Sequence, residues 1–240
     1  MLPSIFISKI ILNNFRSHEN FSIDSNSSNV VLFGKNGVGK TNILESISLL
    51  SPGRGLRNAK NEEIINKKSG INYSLSADLK LNDSSVKIKK FFVKDNSNKS
   101  NLLIDDEKSK TSELLNFLRV IWVTPVMEKI MLQSNSERRN FFDRLIFNIE
   151  KKHLKSFSAY NKFTKERLHI LKSNNIDDGW LQQIETNIAQ HAYEVIRYRK
   201  EAIDKINANL SLISLPFNSC IVELILSLIH ISEPTRRTSI

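Results

Sequence analysis

The 240-residue chain has a single cysteine, Cys220, and this excludes an internal disulfide and suits a reducing compartment. No apolar run approaches the roughly 20 residues that a bilayer span requires, so a soluble protein with no membrane partner and a cytoplasmic location is expected. The N-terminus, MLPSIFISKI, has no basic start, apolar centre and small-residue cleavage site of the kind a signal peptide needs. Glycine is also scarce, with seven residues in all, and three of these fall at 34, 37 and 39. What is plentiful is positive charge: 35 Lys and Arg against 25 Asp and Glu give a formal net charge of +10. Clustered cations release counterions from phosphates, which fits a nucleic-acid partner. The chain is also rich in Asn, Ile and Lys, with Lys ahead of Arg, as an AT-rich coding sequence produces for any protein, so charge leaves both readings open.

The first third reads as strands. SIFISKIILNNF, FSI and NVVLF (29–33) are β-branched and aromatic, with Asn, Ser and Asp clusters between them. Residues 73–93 alternate apolar and polar about an Asn-Asp-Ser turn, which predicts a hairpin with one solvated face. A polar loop at 95–101, a short LLI strand, a helical turn capped by Thr111 or Ser112, and a buried strand at 120–124 (VIWVT) follow. From Pro125 the apolar period becomes helical, through MEKIML, NFFDRLIFNI and HLKSFSAYNKFTKERLHIL. It continues through Leu181, Ile184, Ile188, Ala192, Val195, Ala202 and Ile206, broken only at 172–179. The expectation is an α/β protein: the N-terminal part of an ATPase lobe over 1–124, then a helical lobe over 125–225 with a long antiparallel helix pair. Its Leu and Ile positions form the seam between helices.

Residues 34–41, GKNGVGKT, fit the pattern G-x-x-x-x-G-K-(S/T), preceded by a predicted strand and followed by the predicted helix TNILESISLL. Gly37 and Gly39 permit backbone conformations that turn successive N–H groups toward phosphate oxygens. The start of the helix near Lys40 adds its positive dipole end. Gly34, Lys35, Asn36, Gly37, Val38, Gly39, Lys40 and Thr41 are thus the candidate nucleotide-binding residues, with Lys40 on the β and γ phosphates and Thr41 as a ligand to Mg²⁺. No Asn/Thr-Lys-x-Asp tetrapeptide announces guanine, so ATP is the expected nucleotide.

Around this loop, ILNNFRSHENFSI and NILESISLLSPGRGLRNAK are similar to the start of the RecF family, relatives of the SMC and ABC-type ATPases. DDEKSKTSELLNFLRVIWVTP resembles that family's hairpin, helix and strand, and SERRNFFDRLI (136–146) resembles its R-R-x-F-L-D segment. The resemblance spans most of residues 8–210. It implies a P-loop ATPase head of ABC/SMC type, with two ATP molecules held between two heads in an ATP-dependent homodimer that clamps DNA. It also implies slow DNA-stimulated hydrolysis, single-stranded and gapped duplex DNA as ligands, and RecR and RecO as partners in loading RecA. A small-molecule P-loop kinase and another SMC-like or nuclease-linked ATPase share the same loop.

Arg16, in NFRSH, resembles an arginine near nucleotide phosphates in SMC-type heads, or is a surface residue. Arg138 and Arg139 either bind phosphate or pair with Asp143 along one helix. Many RecF sequences have Pro-Glu-Asp-Leu where this chain has Pro125, Val126, Met127 and Glu128, which leaves Glu128 as the candidate Mg²⁺-sensing position. Asp105 and Asp106 mimic the acidic end of a catalytic strand but precede EKSK, so a hairpin turn is expected and no catalytic residue is assigned. A Leu-Ser-x-Gly-Gln signature, a later acidic strand and the return strands of the sheet are implied by the resemblance and not found in the sequence. Without them this chain is expected to be inactive. Residues 226–236, LSLIHISEPTR, match a one-frame translation of the transposase end and adapter of tagmentation libraries; native sequence is expected to end near Ile225 and the 226–240 tail to be adapter-derived.

Overall fold

The computed structural model describes residues 5–26, 29–68, 70–81, 84–94, 99–172, 177–212 and 221–225. The chain divides into two compact units, Met1–Thr124 and Pro125–Ile240.

The first unit is built on a six-stranded antiparallel sheet of order β2-β1-β3-β4-β5-β6. Its strands are β1 (Ile5–Phe15), β2 (His18–Asp24), β3 (Asn72–Leu81), β4 (Ser84–Val93), β5 (Asn101–Ile104) and β6 (Glu107–Lys108). Strict alternation drives the sheet: Tyr73, Leu75, Ala77 and Leu79 of β3 are buried, as are Val86, Ile88 and Phe92 of β4. The opposite face of β4 carries Lys87 and Lys89, as period 2 requires. Helix α1 (Lys40–Ser48) and the short α2 (Asn61–Ile64) bring Ile43, Leu49, Leu50, Ile64 and Ile65 into the same core. Within it the Phe15 ring meets Tyr73 edge-on at 5.7 Å, and Tyr73 stacks on Phe92 at 5.9 Å. The 73–93 hairpin therefore forms as expected; its turn residues 82–83, like 95–98 of the polar loop, lie outside the described residues.

Three local expectations are corrected. Residues 29–33 have no place in the sheet, and Val31 and Phe33 are 83% and 90% exposed, because a strand needs a ladder partner and none of the described strands supplies one. The same holds for 120–124: Val120 is buried and Trp122 packs against the core, but Ile121 and Val123 face outward and no ladder forms. Thr111–Asn116 is a 3-10 helix whose N-cap is Lys110, so neither Thr111 nor Ser112 caps it.

The second unit comprises a 3-10 segment (Pro125–Leu132), α3 (Asn135–Ile149), α4 (Lys151–Lys172) and α5 (Asp178–Leu210). Ser134 caps α3 through a reciprocal box, its hydroxyl accepting from the Glu137 N–H while the Glu137 carboxylate accepts from the Ser134 N–H. Asp177 caps α5 by accepting from the Trp180 N–H. Helices α4 and α5 run antiparallel: Ser156 bonds to Glu194 at 2.5 Å while Arg167, eleven residues on, bonds back to Glu185 at 2.8 Å. Ile184, Ala192, Val195, Ala202 and Ile203 are buried on α5, with Ile170 on α4. Among the described residues no helix is long and apolar enough to cross a membrane. The 226–240 tail lies outside the described residues.

Candidate nucleotide site

Residues 34–41 form a loop that ends directly in α1. Gly39 is the helix N-cap at φ 99°, a left-handed conformation with no side chain to cap the first turn. The first N–H groups of α1 are therefore left to an anion or to solvent. A Cβ on Gly39 would lie 2.5 Å from His18 Nε2 and 2.8 Å from Ser17 Oγ, so any other residue here would have to displace these side chains of the β1–β2 turn. Gly37 (φ 87°) has open space around its Cα and needs glycine for its backbone angle alone.

The Lys40 ammonium folds back over the loop and donates to the Gly34 carbonyl at 2.7 Å and the Lys35 carbonyl at 2.6 Å. These two bonds hold the cation at the mouth of the loop. Thr41, Lys35, Asn36 and Val38 are exposed. Beside the loop lies a cavity of about 320 Å³ lined by His18, Phe21, Val31, Phe33, Val38 and Lys40, with the His18 and Phe21 rings 4.8 Å apart. Apolar walls ending at a cation and a row of N–H groups can take a flat ring at one end and anionic oxygens at the other.

Behind the loop a polar chain fixes α1. Asn42 donates to Ser17 Oγ at 2.8 Å, and Arg57 donates to Asn42 Oδ1 at 2.9 Å and Glu45 Oε2 at 2.8 Å. Arg16 grips the same carboxylate with two bonds and also donates to the Glu63 carbonyl. Glu45 is fully buried, and the three elements that meet on it are the β1–β2 turn, α1 and the 51–60 loop. Arg16 is thus engaged by a carboxylate rather than free at the surface. Burial, and then the Glu45 charge, push the nearby Tyr73 hydroxyl far above its ordinary pKa.

Other candidates are placed differently from their sequence expectations. Asp143 does not pair with Arg138 or Arg139. Arg138 donates to Met131 O and Asn135 Oδ1, and Arg139 to Ser136 Oγ, while Asp143 accepts two bonds from Arg199 of α5 (2.8 and 2.7 Å) and one from His153 Nε2 of α4 (3.0 Å). Glu128 is exposed on the 3-10 segment of the second unit. Asp105 and Asp106 occupy the β5–β6 turn with φ 49° and 66°, and Asp105 Oδ1 accepts from the Lys87 N–H at 2.8 Å. They are turn residues, as their sequence context indicates. For a divalent cation, no group of three or more His, Cys, Asp or Glu side chains converges among the described residues. An exposed threonine at the first turn of α1 suits Mg²⁺ only as one ligand among phosphate oxygens and waters, which is how that ion is ordinarily held beside nucleotides.

Among the residues that sequence reasoning passed over, Lys90 is the one with a readable signal. Lys90 sits in the inward row of β4 between Ile88 and Phe92, 5% exposed, and donates to the Leu49 carbonyl at the end of α1 at 3.0 Å. The available signal is phase: it is a lysine where the alternation of VKIKKFFV calls for an apolar residue.

The chain is 34% identical over 215 residues to the DNA replication and repair protein RecF of Rickettsia akari, covering 85% of this chain and 58% of that protein. It is 34% identical over 236 residues to the RecF of Rickettsia typhi, covering 94% and 64% respectively. The chain therefore spans about three-fifths of the length of the curated relatives it matches. Among solved structures it superposes on the recombination mediator protein RecF with ATP (TM-score 0.76, 25% identity, 87% of this chain and 57% of that one). The RecF–ATPrS structure gives the same TM-score at 22% identity. Residues 6–156 match the family described as the RecF/RecN/SMC N-terminal domain, and on that match, over more than half its length, the chain belongs to this family.

Proposed function

We propose that residues 34–41 bind ATP with Mg²⁺, and that the protein is a RecF-type ATP-dependent DNA-binding protein of recombinational repair and replication. The observation that carries the reading is the Lys40 ammonium held at the Gly34 and Lys35 carbonyls above an uncapped helix start. On binding, the triphosphate takes the place of those carbonyls as the partner of Lys40. Gly34, Lys35, Asn36, Gly37, Val38 and Gly39 supply backbone N–H groups, the first turn of α1 supplies the dipole end, and the adjoining cavity takes the base. Thr41 would help hold Mg²⁺, which would supply neutralisation of the phosphate charge. The solved structure of RecF with ATP, on which this chain superposes, supports the nucleotide.

By the same family membership, DNA is the macromolecular ligand, RecR and RecO are the partners, an ATP-dependent homodimer is the working state, and RecA loading in the cytoplasm is the task. ATP shifts the monomer–dimer equilibrium only through contacts it makes better in the dimer, so dimerisation and nucleotide affinity are linked. DNA binding should run through phosphates, because no base-reading motif is visible.

Titration calorimetry with MgATP tests the site. Lys40→Ala removes a charge-assisted contact worth about 1.5–3 kcal/mol and should weaken affinity roughly ten- to a hundredfold. Equal affinity for both proteins would overturn the assignment. For DNA, fluorescence anisotropy should show affinity falling steeply with salt and varying little with sequence; a flat salt response would mean that the +10 charge reflects codon usage alone.

A further inference from the structure

A second cavity, of about 300 Å³, lies in the first unit and shares no lining residue with the one beside the loop. Its floor is Lys90, with Leu49 alongside; Gly53, Arg54, Lys99 and Ser100 also line it. Arg54 and Lys99 are exposed and form its rim, whereas Lys90 is buried. Placing a lysine in the apolar row of a sheet is costly, because its ammonium has three donors and loses its water. Among the described residues it has one hydrogen bond, to the Leu49 carbonyl. Arg54 and Lys99 bring more positive charge to the same space, and among the described residues no carboxylate lines it.

We propose that this cavity is an anion site for a phosphate group, distinct from the loop at 34–41, in which Lys90 holds an oxyanion from within while Arg54 and Lys99 engage it at the rim and Ser100 adds a hydroxyl. Two remaining donors of Lys90 then find acceptors. The open left-handed turn at Gly53 (φ 108°) leaves the mouth free of a side chain. Burial lowers the Lys90 amine to about 8, so an entering anion restores the full ammonium charge and takes up part of a proton near neutral pH. The same chemistry is offered by a free phosphate and by a phosphate of the DNA backbone. The site does not depend on the nucleotide reading of the loop.

The test uses the full chain with Lys40→Ala, so that the loop contributes little, and inorganic phosphate as the probe. Calorimetry should find phosphate binding that weakens at least tenfold with Lys90→Met and with the exposed Arg54→Ala, but not with Lys89→Met on the opposite face of β4. Phosphate should also protect Lys90 from an amine-reactive label mapped by mass spectrometry at pH 8. A single-stranded oligonucleotide that displaces phosphate and protects Lys90 equally assigns the backbone as the source; failure to compete, with phosphate binding intact, assigns the small anion. Phosphate binding that is absent, or indifferent to both Lys90→Met and Arg54→Ala, overturns the proposal and leaves Lys90 as a cap on the last carbonyls of α1. ATP affinity of the wild-type chain is measured separately, so this failure is distinguishable from a failure of the loop.

Discussion

Arg16 and Glu45 are joined by two parallel hydrogen bonds, Nε to Oε2 at 3.0 Å and Nη2 to Oε1 at 2.6 Å, around a carboxylate that has no solvent exposure. A fork of this type is strong because both partners are charged and the geometry is fixed. Its importance lies in what a broken pair leaves behind: Arg57 alone would face a buried carboxylate that binds α1 to the β1–β2 turn. Arg16→Met should therefore destabilise the first unit by about 2–4 kcal/mol, and Glu45→Ala, which strands two guanidiniums, by about 3–5 kcal/mol. Denaturant melts read this directly. An unchanged midpoint for Arg16→Met, with weakened ATP binding, would return Arg16 to the phosphate role suggested by its sequence context.

Gly39→Ala tests how tightly the loop is set against the β1–β2 turn. The added Cβ must live at φ 99° and 2.5 Å from His18 Nε2, so the His18 ring has to swing into the cavity it lines. Gly37→Ala has the same kind of backbone penalty with no neighbour to displace. ATP affinity should fall further for Gly39→Ala than for Gly37→Ala, by at least several-fold, while both lose roughly 1–2 kcal/mol of stability to the left-handed backbone. Equal losses in a calorimetric titration would show that the turn is not part of the site.

The contrast between these residues and others shows what a sequence exposes. The β3–β4 hairpin is legible because its pattern is local, with period-2 alternation about a polar turn. The loop at 34–41 is legible because spacing, Lys40 and Thr41 sit in eight consecutive residues. Strand pairing is different. NVVLF and VIWVT have the composition of buried strands, yet pairing depends on a neighbour elsewhere, and composition is silent about where that neighbour is. Asp143 illustrates the same limit among helices. A neighbour four residues away was the natural local partner, but Arg199, fifty-six residues on, is the one that reaches it. Lys90 was hidden for another reason: its contact with Leu49 joins a strand to a helix end and has no local signature beyond its phase.

Asp143 should make the helical unit sensitive to acid. Burial pushes its carboxyl upward, but hydrogen bonds from His153 and Arg199 and the Arg199 charge outweigh this and hold it below the ordinary carboxylate value. A depressed folded pKa means that the unfolded chain binds the proton first, so the stabilisation is complete above about pH 4 and is lost as pH falls through the lower folded value. At pH 7, Asp143→Asn should cost about 3–5 kcal/mol by leaving Arg199 partly buried and unpaired. The difference between wild type and variant should shrink steadily from pH 4 to 2 in urea melts followed by circular dichroism. A difference that stays constant over that range would show that the charge of Asp143 is not what holds α3, α4 and α5 together.

Lys90 should give the first unit a response of the same sign, displaced to alkaline pH. Its amine is lowered from 10.5 to about 8 by burial, which means that below pH 8 the folded protein carries a charge it would be better without. Between the two values the unfolded chain holds a proton that the folded chain has released, so stability rises with pH across that window, by about 3 kcal/mol in total. The Leu49 carbonyl lies at the C-terminal end of α1, where a cation is favoured, and this limits the cost without removing it. Lys90→Met keeps the volume, removes the charge, and should flatten the pH response while raising stability at pH 7. Native-state hydrogen exchange of β3 and β4 amides, corrected for the intrinsic rate at each pH, isolates this unit from the helical one. Protection that stays level from pH 7.5 to 10 in the wild type would mean that Lys90 keeps its ordinary affinity for the proton, and that water or an anion reaches it inside the sheet.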